Sequence, residues 1–152
     1  MTHSDAALWG LPDPDTHGEF YADTTIKRFF AWIVDTVLVV GLCIVILPFT
    51  AFVGIFFFAA LFLGIGLIYR IWSIATWSAT PGMRLMSIEF RNRYGERFDT
   101  GMAVLHTLAY TAMASVFVVQ VVSILCMLTT PRGQGLHDML LGTAAINRSR
   151  NL

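Results

Sequence analysis

Charge is what this chain is short of. Only 13% of its 152 residues are Asp, Glu, Lys or Arg, while 56% are hydrophobic and the mean hydropathy is +0.67. Soluble domains carry about 25% charged residues. Here the deficit is gathered into long apolar runs, which argues against a soluble domain and for several membrane spans. The formal net charge is zero, which removes the basis for a nucleic-acid partner. Cysteine is equally scarce: Cys43 and Cys126 both fall inside apolar runs, where they read as small packing groups and not as a disulfide framework. There is no phosphate-binding loop, nucleophile elbow or HExxH motif, and Ser, His and Asp are not spaced as a triad, so enzyme activity is not expected. His3, Asp15, His17 and Glu19 sit in a polar stretch without the cysteine spacing of a zinc site, so neither a metal nor a cofactor is expected. The basic n-region and short apolar core of a cleaved signal are missing too, so the first apolar run is expected to stay as a permanent span.

Residues 1–26 form an acidic arm holding Asp5, Asp13, Asp15, Glu19 and Asp23 but no Lys or Arg. Trp9, Leu11, Phe20 and Tyr21 recur in it. A purely solvating tail has few aromatics, so this is an interaction arm that lies on a surface, either the membrane interface or a partner. Three spans follow, at about 29–47, 49–69 and 102–129, the first two each near the length that crosses a hydrocarbon core. The third run has no internal Gly or Pro and reads as one long, tilted helix. Between the second and third spans, Met86, Ile88 and Phe90 alternate with Ser87, Glu89 and Arg91, and Gly95 follows within Asn92–Glu96. That pattern predicts a short interfacial β-hairpin at about 84–98. The expected architecture is therefore all-α and transmembrane, a three-span helical protein with an extended N-terminal arm and this hairpin, ending in a tail at 147–152.

With three spans, one side holds Lys27, Arg28, Arg70, Arg84, Arg91, Arg93 and Arg97, and the other Arg132, Arg148 and Arg150. The imbalance predicts a cytoplasmic N-terminus and hairpin and an outward C-terminus.

Three blocks occur together: Lys27-Arg28-Phe29 with Asp35, then Thr80-Pro81-Gly82-Met83-Arg84-Leu85, then Arg132-Gly133-Gln134-Gly135-Leu136-His137-Asp138 followed by Gly142-Thr143. The chain resembles the RDD family of small bacterial membrane proteins, named for one Arg and two Asp, over most of residues 24–146. The resemblance implies that Arg28, Asp35 and Asp138 are the motif residues and that 27–146 is the membrane domain. Met83 stands where many members have a basic residue. The family implies about three spans and an inner-membrane location; transport has been proposed for some members.

Asp35 lies inside the first apolar run, where a bare carboxylate costs about 2.5–3.5 kcal/mol or more. Arg28 precedes it by two helical turns and leans the other way, toward the headgroups. The partner must come from elsewhere. At matching depth on span three, His106, Thr107, Tyr110 and Thr111 form one polar stripe, so Asp35 is expected to meet His106 or Tyr110. The pairing reads either as a fixed clasp between helices or as a proton or cation site. Asp138 would cap the last segment or, if the C-terminus folds back, accept from Arg84. Two functions follow. One is a small inner-membrane accessory subunit that packs against a larger complex, possibly respiratory, and helps to hold or assemble it. The other is an oligomeric ion or solute transporter that titrates Asp35.

Overall fold

The computed structural model describes residues 10–148. Helix α1 runs Thr24–Ile46 and α2 runs Phe58–Trp77, and both are long and apolar enough to cross a membrane. They are joined by one-turn 3-10 helices at Leu47–Thr50 and Val53–Ile55, with Ala51 and Phe52 left-handed between them. Pro48 stops the first helix, and the second starts nine residues later than the expected boundary at 49 because those two residues reverse the chain.

After α2, Ser78 takes a left-handed conformation and closes the helix by donating its N–H to the Ile74 carbonyl. Thr80 then caps α3 (Pro81–Leu85), its side chain accepting from the Met83 N–H, with Pro81 in the first turn. Threonine at the cap followed by proline is a helix start that the sequence spells out. Strand β1 (Ile88–Arg91) follows. It does not fold onto its own neighbours as the expected hairpin. Instead it pairs antiparallel with the C-terminal strand β2 (Ala144–Asn147), Ile88 opposite Asn147 and Arg91 opposite Ala144. Asn92–Glu96 does turn, with Asn92 N–H donating to the Glu96 carbonyl, but the residues beyond lead into α4 and leave β1's ladder free for β2.

The third apolar run is also not one helix. It divides into α4 (Thr100–Ala114) and α5 (Phe117–Thr129), bent by 116°. Thr111 and Ser115 each donate a hydroxyl to the carbonyl four residues back, at Thr107 and Thr111. Such back-bonding competes with the helical ladder and bends it. Val116 is then extended (φ −106°, ψ 107°), and the chain turns back. The chain thus has two helices able to span, or three if the bent pair is counted as one. The end of α5 returns beside the start of α1, where Thr25 donates its hydroxyl to the Met127 carbonyl at 2.9 Å. Helix α6 (Leu136–Leu141) and β2 complete the fold there, so the C-terminal strand lies at the same end as the N-terminal arm, not at the opposite end.

The core gathers at that end. Ala31, Ile74, Met83, Ile88, Phe90, Phe98 and Ala103 form one cluster. The arm packs inward as well: Leu11 and Tyr21 are buried against Ala144 and Ile146, with Phe20 alongside. Tyr21 donates its hydroxyl to the Pro12 carbonyl, and Asn147 donates to the Glu19 and Ala22 carbonyls. Leu11, Phe20 and Tyr21 therefore serve the chain's own sheet and not a free surface. Trp9 lies outside the described residues.

Candidate functional site

Two buried polar centres sit beneath the sheet, one around Asp138 and one around Asp35. The first is built on Asp138 at the head of α6. Its Oδ2 accepts from Arg28 Nη1 at 2.6 Å and from the Gly135 N–H at 3.2 Å; its Oδ1 accepts from His106 Nε2 at 2.8 Å and Thr143 Oγ1 at 3.1 Å. Arg28 does not lean toward the headgroups. It turns inward, because the bend between α4 and α5 brings a carboxylate within its reach, and it also donates to the Gly133 carbonyl at 3.3 Å. Its guanidinium lies 5.5 Å from the Phe90 ring centre. The pair is almost dry, with side chains 10% and 0% exposed. Such a pair holds only when the remaining lone pairs are satisfied, as they are here.

The charge states follow from the geometry. A carboxylate paired with arginine only accepts, so His106 carries its proton on Nε2, and its buried Nδ1 has no partner. Burial raises the Asp138 pKa, but the Arg28 guanidinium, with the hydrogen bond from His106, outweighs it and holds the group well below the usual carboxylate range. Burial pushes the His137 imidazole down to about 3, and Arg28 adds to that against the attraction of Asp138. His137 is thus neutral, its Nε2 facing Arg28 Nη2 at 3.4 Å. One atom each from His106, His137 and Asp138 come within 4.8 Å of one another. A cation there would compete with Arg28 for an aspartate whose oxygens already accept four bonds, so this donor set suits a guanidinium better than a metal.

A pH prediction follows for His137. Its folded pKa is below the unfolded value of 6.5, so the unfolded chain binds the extra proton first. Stability should be flat above about pH 6.5 and fall below it, by at most about 1.4 kcal/mol per pH unit from this group, down to about pH 3. Asp138 acts in the same direction but only below its unfolded value of 3.8. Thermal unfolding in detergent between pH 7 and 4.5 measures the histidine effect, and H137N should flatten the curve. A wild-type midpoint that does not move over that range would refute it.

The second centre belongs to Asp35. It does not meet His106 or Tyr110. Its Oδ1 accepts from Tyr69 at 2.7 Å and from the Gly82 N–H at 2.8 Å, and its Oδ2 accepts from Thr80 Oγ1 at 2.5 Å. The acid therefore clamps α1 to α2 and to the start of α3. His106 is taken by Asp138, while the Tyr110 ring lies 4.3 Å from the Arg70 guanidinium. Arg84 does not reach Asp138; it sits over the Trp77 ring at 4.7 Å. Tyr69, Thr80 and Gly82 were the partners that helix depth alone missed. The Thr-Pro-Gly start of α3 was their signal, since a helix N-terminus offers free N–H groups to an anion.

Glu89 makes a third, peripheral knot. It is buried on β1, paired with its neighbour Arg91, and approached by Arg97 at 3.4 Å and Arg148 at 3.6 Å. Lys27 donates to Asn147 Oδ1 at 2.6 Å, tying α1 to β2.

No curated protein and no solved structure matched this chain. The RDD family pattern matches residues 23–142, which span both aspartate centres, Arg28 and the bent helix pair. That match covers most of the chain, and the protein belongs to the RDD family.

Proposed function

We propose that this protein is a small, non-enzymatic accessory subunit of the bacterial cytoplasmic membrane, seated against a larger membrane complex, with respiratory assemblies as one class of host. The observation that carries the reading is that each of the two aspartates is held as a clasp by partners within the chain, four bonds on Asp138 and three on Asp35. Beyond them the helices offer apolar surface and no charge. Between Asp35 and Arg70, and between Asp99 and Arg132, there is no Asp, Glu, Lys or Arg. Phe49 and Phe56 in the α1–α2 turn are each 86% exposed. In this proposal α1 and α2 cross the bilayer and the α4–α5 pair enters and returns. Every described Lys and Arg then belongs to one side, which favours a cytoplasmic location for the arm, the sheet and β2.

Transport is the second reading, and one observation favours it: Asp35 lines a cavity between the helices. The two separate experimentally. Tagged full-length chain purified in mild detergent should bring down a membrane subunit in fixed ratio, and D35N should leave that ratio unchanged. Deleting residues 1–9, which spares the packed Leu11 and Tyr21, should weaken the association. Recovery of the chain as a monodisperse homo-oligomer, with an ion flux in proteoliposomes that D35N abolishes, would replace the accessory reading with transport.

A further inference from the structure

Arg70 has no use in either clasp. It lies on α2 near the depth of Asp35, and none of its five side-chain N–H donors finds an acceptor among the described residues; its Nε is buried and unpaired. Tyr110 offers the guanidinium the face of a ring. That offsets charge but accepts no fork of hydrogen bonds. Two adjoining cavities, about 400 and 240 Å3, share Trp32, Asp35, Arg70 and Tyr110 in their walls. They exist because α2 packs closely on both α1 and α4, while α1 and α4 hardly touch. Phe29, Trp32 and Ile124, which line the larger, are 58%, 50% and 44% exposed on the apolar flank of the helices. Gln120 and Met127 from α5 also line it.

We propose that this cleft holds one phospholipid, its phosphate on Arg70 and one acyl chain lying between α1 and α5 along Phe29, Trp32 and Ile124. An unpaired guanidinium fork is matched by phosphate oxygens, and the rim is apolar and faces the side from which lipid arrives. Asp35 stands on the same cavity, with Oδ2 accepting only from Thr80. Arg28 also lines the larger cavity but is already neutralised by Asp138, so a head group that carries a primary ammonium as well as the phosphate satisfies both walls and leaves the cavity neutral. That selects phosphatidylethanolamine over phosphatidylglycerol. The site is independent of any partner complex.

The test is native mass spectrometry of the full chain, stripped of lipid in detergent and titrated with phosphatidylethanolamine, phosphatidylglycerol or inorganic phosphate. The expected result is a one-to-one phosphatidylethanolamine adduct, stronger than that of phosphatidylglycerol, undisturbed by millimolar phosphate and weakened about tenfold or more by R70Q. I124W narrows the mouth without touching Arg70 and should weaken the adduct too. R70K, which keeps charge but loses the fork, should fall between R70Q and wild type. If R70Q does not fold, I124W and R70K decide. Unchanged binding in the variants, equal or tighter phosphatidylglycerol binding, or displacement of lipid by inorganic phosphate would overturn the proposal.

Discussion

Replacing Asp138 with alanine should lower the stability of the folded protein by about 3–5 kcal/mol, the range for removing one partner of a buried charge pair. The cost is high because the carboxylate serves four elements at once. Arg28 belongs to α1, His106 to α4, the Gly135 N–H to the head of α6, and Thr143 to the approach to β2. Without it, Arg28 keeps a 3.3 Å contact with the Gly133 carbonyl and a 3.4 Å one with His137 Nε2, both neutral, and remains a buried cation. Asp138→Asn should be nearly as damaging, since shape survives but charge does not. Removing the other partner differs in kind. In Arg28→Met the carboxyl loses its cation while burial still favours the neutral acid, so its folded pKa rises above the unfolded 3.8. A raised folded pKa means stability gained as pH falls through it. Between pH 7 and about 4.5 the deficit of R28M should therefore shrink, and that of D138A should not, because wild-type Asp138 stays ionised folded and mostly ionised unfolded over that range. Thermal unfolding in detergent at two pH values reads both. A D138A variant within about 1 kcal/mol of wild type would refute the role of this cluster as the closing latch, because surface substitutions alone move stability by that little.

The motif arginine and aspartates were visible in the sequence, but the pairing between them was not. Arg28 and Asp138 are 110 residues apart, and a straight third helix would put them on opposite sides of the bilayer. Everything turned on the bend. Its signal was present in Thr107, Thr111 and Ser115, a four-residue repeat of hydroxyls ahead of β-branched Val116. The absence of Gly and Pro obscured it, since backbone competition by Ser and Thr is a weaker cue than a helix breaker. Moving the C-terminal strand to the arm's end then decided the rest. β1 found β2 in place of a local hairpin partner, and the aromatic arm found Ala144 and Ile146 in place of a free surface. Apolar run lengths, by contrast, were legible for α1 and α2 because hydropathy depends only on local composition. Asp35 does sit among polar groups, as its depth in the first apolar run implies, but they are not those of the third run: Tyr69, Thr80 and the Gly82 N–H reach it from the end of α2 and the start of α3.

Gly82→Ala tests that second clasp by adding a single methyl group. A Cβ at this position would stand 2.3 Å from the Ala31 carbonyl oxygen and 2.8 Å from Asp35 Oδ1. The carbonyl is part of the α1 backbone and cannot step aside, so α3 must lift away from α1. Lifting lengthens the bond from the Gly82 N–H to Asp35, which is 2.8 Å, and the neighbouring one from Thr80, which is 2.5 Å. Overpacking costs about 1–3 kcal/mol and each bond to a charged group about 1.5–3 kcal/mol, so a total near 3 kcal/mol or more is expected. Gly41→Ala is the control, since a Cβ there has nothing within 4 Å and alanine is the better helix former by about 1 kcal/mol; it should leave the unfolding midpoint level or slightly raised. In an Asp35→Ala background, Gly82→Ala should cost less than in wild type, by about 1 kcal/mol or more, because part of the clash and the bonds it disturbs are already gone. Additive losses in that double-mutant cycle would mean that Gly82 and Asp35 act independently, and the clamp of α3 onto α1 through the carboxylate would have to be abandoned.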